Sequence, residues 1–368
     1  MKLQKLILNI ILGFLNIFVK MFKIKENQVA FISLESRYLD SDMKLIYDEL
    51  EKKKDVILKK VVIEYDQQGI KQNFLYMLNC IKQLFIINTS HVVIIRDNNY
   101  VVSNFKRKGV KVIQVWHACG AIKKFGNALP RKYPIKNYDY VIANSPYWKK
   151  PYSEAFAVKE ENVVITGMPR VDCLFDQNYL NQAKEKLLKK YPQLVGKKII
   201  LYAPTFRGNI YKGFSMLPFD GIKLIESFDE NTYLLYKMHP LLKEINLPQH
   251  PRILDVCKED THELFALSDS LISDYSSIVF DYSLLNKPLY FYTPDLNEYL
   301  NDVGCYVDKE DLPVDVSLTM DELIKMMQMP YKGKLDVFKN KFFTYQDGKN
   351  TNRVVDLILE ILKRGCNE

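Results

Sequence analysis

"SLISDYSSIVFDYSLLNKPLYFYT", Ser270 to Thr293, is the stretch that decides the fold. An apolar run, SLIS, meets a polar turn, DYSS. IVFDYSLLNK then has helical spacing, and Pro288 stops it ahead of a second β-rich run, LYFYT. Strand, turn, helix and strand in this order make a βαβ unit, whose two strands lie parallel in a sheet covered on both faces. In such sheets ligands bind just beyond the carboxyl ends of the strands. Asp274, Ser276 and Ser277 stand there, and Asp281 lies one turn into the helix.

The same alternation recurs on the amino-terminal side. VAFIS (29–33), VILKKVVIEY (56–65), VVIIRD (92–97), VKVIQVW (110–116), YVIANS (140–145) and VVITG (163–167) read as strands with helical stretches between them. A Lys-rich helical segment follows Asp172, and a second series begins: IILYAPTF (199–206), TYLLYKM (232–238), RILDV (252–256) and the two runs already quoted. At 368 residues the chain exceeds what one core usually spans. The expectation is an α/β protein with two doubly wound, Rossmann-type domains facing a central cleft, residues 24–180 and 197–350. Residues 351–368 form a helix, spaced apolar at i, i+3 and i+4, that packs back toward the first domain.

Residues 1–23 are a separate matter. In MKLQKLILNIILGFLNIFVKMFK the lysines and asparagines, Lys2, Lys5, Asn9, Asn16, Lys20 and Lys23, fall within an arc of about 60° at about 100° per residue. That is an amphipathic helix. It lacks a small-residue cleavage site and is interrupted by two Asn and a lysine, so an interfacial helix fits better than a signal peptide or a span. Its lysines are expected to face anionic headgroups.

The net charge of +8 is spread along the chain. It suits phosphorylated substrates or an anionic membrane surface; with no zinc-finger, RNP or compact basic arm, nucleic acid is not expected as a partner. Six cysteines stand singly, which favours a reducing compartment over a disulfide framework. Asp40 and Asp42 make a formal DxD, but they precede a helix, where an Asp is an ordinary cap. No metal and no cofactor is expected. A homo-oligomer stays open.

Two of the five histidines follow strands: His117 after VIQVW, and His239 after YLLYKM in KMHP. Arg207 ends YAPTFR, and Lys237 precedes His239 by two. His91, His250 and His262 do not share this placing. From the residues alone, His117 reads equally as a histidine bonded inside a turn and as a base presented at a strand end. Ala118, Cys119 and Gly120, small residues, let substrate or backbone come close.

VWHACGAIKKFG, GMPRVDCLF, YAPTFRG, KMHP and ISDYSSIVFDYSLLNKPLYFYTPD, in this order, resemble the CDP-glycerol glycerophosphotransferase family of teichoic-acid enzymes, and most of all its glycerol-phosphate primase branch. The resemblance runs from about residue 29 to the C-terminus. It implies a GT-B architecture, with the first domain binding the acceptor and the second the CDP-alditol. It further implies transfer of glycerol phosphate from CDP-glycerol, or ribitol phosphate from CDP-ribitol, to a polyprenyl-diphosphate-linked glycan at the cytoplasmic face of the membrane, with release of CMP.

Phosphoryl transfer needs a hydroxyl nucleophile, a proton acceptor, and charge or N–H donors on the phosphates. The resemblance favours His117 as base. His239, Arg207 and Lys237 are expected on the donor phosphates, with Asp274 and the Ser276–Ser277 pair cradling the diphosphate, and Gly120 and Arg170 also in contact with substrate. Asp281 reads equally as an acceptor for an alditol or ribose hydroxyl and as a cap or salt-bridge partner. The rival readings are a poly(alditol phosphate) polymerase, a GT-B glycosyltransferase acting on a nucleotide sugar, and a non-catalytic membrane-associated binding protein.

Overall fold

Aliphatic and β-branched runs assemble into two parallel six-stranded sheets in the computed structural model, which describes residues 2–34, 36–63, 70–131, 133–209, 213–239, 242, 247–302 and 304–365. The last two residues of the expected strand 56–65, Pro240 of KMHP and Cys366 lie outside these. The chain separates into two units, one comprising Met1–Ala118, Phe125–Asp172 and Asp347–Glu368, the other Cys119–Lys124 and Cys173–Gln346. Residues 173–180, read from the sequence as part of the first domain, thus pack with the second unit. So does Gly120.

The first unit holds β1 (Lys25–Ser33), β2 (Ile57–Val62), β3 (Ser90–Ile95), β4 (Lys111–Gln114), β5 (Tyr140–Ala143) and β6 (Val163–Ile165). They are parallel throughout, in the order β2-β1-β3-β4-β5-β6. Val29–Ile32 and Val92–Ile95 pair in register and have no exposed surface, which is why these two runs are apolar on both faces. The helix Asn350–Gly365 lies against β1, β3 and the helix Ser41–Glu51. Asp172 caps it, accepting from the Asn350 and Thr351 N–H groups at 2.9 and 2.8 Å. Gly167, at φ +77°, makes room for this: a Cβ there would lie 2.0 Å from Asn350 Oδ1.

The second unit holds β7 (Lys198–Tyr202), an antiparallel hairpin of β8 (Arg207–Asn209) and β9 (Gly213–Ser215), then β10 (Thr232–Tyr236), β11 (Ile253–Asp255), β12 (Ser270–Ser273), β13 (Leu289–Tyr292) and β14 (Val316–Ser317). The parallel order is β11-β10-β7-β12-β13-β14. In the stretch that opens the sequence analysis, SLIS becomes β12 and LYFY becomes β13, joined by the helix Ile278–Ser283. The hairpin and β14 are too short to announce themselves by periodicity.

The helix Lys2–Val19 packs in the first unit through Leu12 and Val19, with Asn9 beside them. Asn9 accepts from the Tyr100 hydroxyl, the Lys5 ammonium lies 5.9 Å from the Tyr100 and Tyr133 rings, and Leu12 and Val19 have no exposed surface. Arg107 donates to the Phe22 carbonyl at 2.8 Å, holding the segment that follows the helix. The opposite face carries Ile10, Phe14, Ile17 and Met21, which are 61–80% exposed. Of the polar arc Asn9 faces protein, while Lys5, Lys20 and Lys23 remain exposed. No helix among the described residues is long and apolar enough to cross a membrane.

Candidate functional site

β4 ends at Gln114, and the chain turns sharply. Trp116 takes φ +39°, a region that bulky residues enter only where their surroundings over-determine it. Those surroundings are visible. Its N–H donates to Gln114 Oε1 at 3.0 Å, and its indole stacks on Phe125 at 4.6 Å with the Phe156 ring edge-on at 5.2 Å. The turn leaves the His117 side chain exposed, its ring 3.7 Å from the Trp116 ring, while Ala118, Cys119 and Gly120 are buried. β4 lies inside its sheet, so His117 stands at the carboxyl edge of a central parallel strand, where open α/β sheets bind ligands.

Arg170 fixes the backbone at that point. Its Nη1 donates to the His117 carbonyl at 2.5 Å, its Nε and backbone N–H donate to Asp42 at 2.7 and 2.8 Å, and Nη2 donates to the same carboxylate. Asp42 has no exposed surface. A guanidinium engaged in this way positions the His117 turn. The DxD reading dissolves, since Asp40 pairs with Arg96 and Asp42 with Arg170. Asp40 occupies the N-cap of its helix without a capping bond from its side chain.

In the second unit β7, β10 and β12 are adjacent, and the predicted donor residues follow them. Asp274, after β12, is buried and accepts from the Thr205 N–H and from Arg207 Nη1, both at 2.8 Å. Burial raises its carboxyl pKa against the pull of Arg207. Arg207 also grips Asp295 through Nε at 2.6 Å and Nη2 at 3.1 Å, and its guanidinium lies about 5 Å from the Tyr275 and Tyr299 rings. Burial works against its charge, yet hydrogen bonds and charge from Asp295 and Asp274 outweigh burial and raise its pKa above the ordinary value. Lys237 is likewise committed. Its ammonium donates to the carbonyls of Cys257 and Glu259 at 2.8 and 2.6 Å, and burial lowers its pKa. Both cations are engaged within the protein, and neither is a free surface charge.

The remaining residues divide. Ser277 is the N-cap of helix Ile278–Ser283 but makes no capping bond, and Ser276 precedes it; both are half-buried. Simple capping does not account for the two hydroxyls. Asp281 accounts for itself: its Oδ2 lies 3.2 Å from His262 Nε2, so its salt-bridge reading gains a partner in a histidine set aside from the sequence. His239 is half-buried, its ring edge-on to Phe206 at 4.8 Å, and its pKa is lowered by burial and then by the charge of Lys123. Lys123, from the VWHACGAIKKFG motif, was missed. Its ammonium stands 4.9 Å from the centre of the same Phe206 ring. A cavity of ≈ 220 Å³ beside Asp274 is lined by Ile122, Tyr275, Thr293 and Cys305 among others.

Two parallel, doubly wound sheets with titratable side chains at their carboxyl edges define an α/β protein of Rossmann-like units. The chain belongs to the CDP-Glycerol:Poly(glycerophosphate) glycerophosphotransferase family, which it matches over residues 14–360. It is 30% identical to the teichoic acid ribitol-phosphate primase of Bacillus spizizenii over 94% of both chains. It is also 30% identical to the teichoic acid glycerol-phosphate primase of Bacillus subtilis, covering 98% of this chain and 100% of that one. Against the teichoic acid poly(ribitol-phosphate) polymerase of B. spizizenii, 32% identical over 92% of this chain, it spans 57% of the relative's length. Among solved structures it shares the fold of the wall teichoic acid polymerase TagF, at a TM-score of 0.73 and 23% identity over 99% of this chain and 98% of that one.

Proposed function

We propose that this protein transfers glycerol phosphate from CDP-glycerol to a hydroxyl of an undecaprenyl-diphosphate-linked disaccharide, releasing CMP. Membership of the family over residues 14–360 carries the reading. The acceptor oxygen bonds to the phosphorus that bears the alditol, the bond from that phosphorus to the bridging oxygen breaks, and the electron pair leaves with CMP. His117 takes the hydroxyl proton, a role that suits an exposed imidazole on a backbone held by Arg170. His239, kept neutral by burial, hydrogen-bonds the departing phosphate, and the Ser276 and Ser277 hydroxyls hold the diphosphate. Asp274, through Arg207 and Thr205, keeps the ends of β7 and β12 together beneath that site.

The ribitol reading is carried by a specific observation: a ribitol-phosphate primase and a glycerol-phosphate primase stand at the same 30% identity. The enzyme works as a peripheral protein at the cytoplasmic membrane face, with the apolar side of helix Lys2–Val19 set into the lipid interface and Lys20 and Lys23 on its headgroups. Nucleotide release separates this account from a sugar transferase. CMP liberated from a CDP-alditol only when acceptor is present supports it, and UDP liberated from a UDP-sugar overturns it.

A further inference from the structure

Arg207 is ion-paired with Asp295 and Asp274, and Lys237 turns two donors to backbone carbonyls, so a further cation beside them would add to the positive charge that a transferred phosphate requires. Lys123 is such a cation. Among the described residues no carboxylate pairs with it at ion-pair distance, although it is half-buried. Its place is built rather than incidental: Lys123 bridges Cys305 in antiparallel fashion, Tyr306 N–H donates to the Ile122 carbonyl at 2.7 Å, and Lys124 N–H to the Gly304 carbonyl at 3.1 Å. Phe206 lies beneath its ammonium and also against His239, so both side chains share one aromatic floor at the carboxyl end of β7.

A half-buried ammonium without a counter-ion is costly, and an anion beside it recovers that cost. Asp274 attracts Lys123 and Arg207 repels it, while burial lowers its pKa. We propose that Lys123 binds the diphosphate of the donor and neutralises the charge that gathers on the departing CMP phosphate. Lys123 thereby adds a third cation to the two, Arg207 and Lys237, that the sequence pattern places on the donor phosphates. This inference rests on the alditol-phosphate transfer reading above.

The test is calorimetry of the full chain with CDP-glycerol, CDP-ribitol and cytidine at fixed salt. Lys123→Gln should weaken CDP-alditol binding about 10- to 100-fold, Lys123→Arg should recover most of it, and cytidine, which has no phosphate, should bind both variants like wild type. Equal CDP-alditol affinity in Lys123→Gln and wild type overturns the inference. So does a matching loss of cytidine affinity, which would mark Lys123 as packing. Should wild type bind neither CDP-alditol, the transfer reading itself fails, and Lys123 with it. A second measurement needs no variant: CDP-alditol should protect Lys123 of the wild-type protein from acetylation, read by peptide mass, where cytidine does not. Absence of that protection counts against the proposal equally.

Discussion

Asp42 and Arg170 form a buried pair whose free end holds the backbone of His117. The carboxylate, with no exposed surface, takes three hydrogen bonds from Arg170, and the fourth donor of that residue reaches the His117 carbonyl. A fully desolvated carboxylate is tolerable only with such compensation. The arrangement therefore links the helix Ser41–Glu51 to the turn that presents the imidazole.

Asp42→Asn should leave the guanidinium without its counter-charge and cost about 3–5 kcal/mol of stability. It should also lower the rate of the chemical step while donor affinity holds, because the residues proposed to bind the donor lie in the other unit. Arg170→Lys should not rescue, since an ammonium cannot serve Asp42 and the His117 carbonyl at once. Thermal unfolding with single-turnover rates checks this; a variant of full rate and lowered stability would reduce the pair to a structural one.

The two histidines should separate by substrate. Loss of the base in His117→Ala should cost roughly two to four orders of magnitude in turnover with donor affinity nearly unchanged. His239→Ala should raise the donor dissociation constant as well as slow the reaction, since a group on the departing phosphate touches it in the ground state too. The reverse pattern in calorimetry and single-turnover kinetics would exchange their roles.

His239 should leave a mark on stability. Burial and the Lys123 charge lower its pKa in the folded protein, so below about pH 6.5 the unfolded chain binds a proton that the native state refuses. Native stability from this group is lost as the pH falls from there to the folded pKa, and levels off beneath it. The Tm of wild type relative to His239→Gln should therefore decline on acidification through that window. A difference independent of pH would place the ring in ordinary solvent.

Charge set on the exposed apolar face should abolish membrane binding. Phe14→Glu with Ile17→Glu disturbs neither Leu12 nor Val19, which seat the helix. The double variant should stay in the supernatant when wild type sediments with anionic vesicles at moderate salt, while turnover of a short, water-soluble acceptor persists. Unchanged sedimentation would place the membrane contact elsewhere.

The strands were legible because each is a run of β-branched or aliphatic residues closed by a turn, and the parallel sheet order follows from that alternation. The positions of His117, His239, Ser276 and Ser277 were legible for the same reason: strand ends can be counted. Partners were not. Asp42 meets Arg170 across 128 residues and Arg207 meets Asp295 across 88, and no periodicity records such pairings. Helix Lys2–Val19 makes the same point. Its amphipathicity was plain, but the face turned inward was decided by Tyr100, far along the chain. Lys123 was hidden in an already quoted motif, because its proposed role depends on Phe206 and on the absence, among the described residues, of a carboxylate at ion-pair distance.

The most direct measurement is the mass of the lipid product after incubation of the purified protein with a synthetic undecaprenyl-diphosphate disaccharide and CDP-glycerol or CDP-ribitol. The account predicts that the acceptor gains one alditol phosphate, one CMP appears for each transfer, and both stop in His117→Ala. An acceptor of unchanged mass with both donors, in a preparation that is folded and membrane-bound, would contradict it.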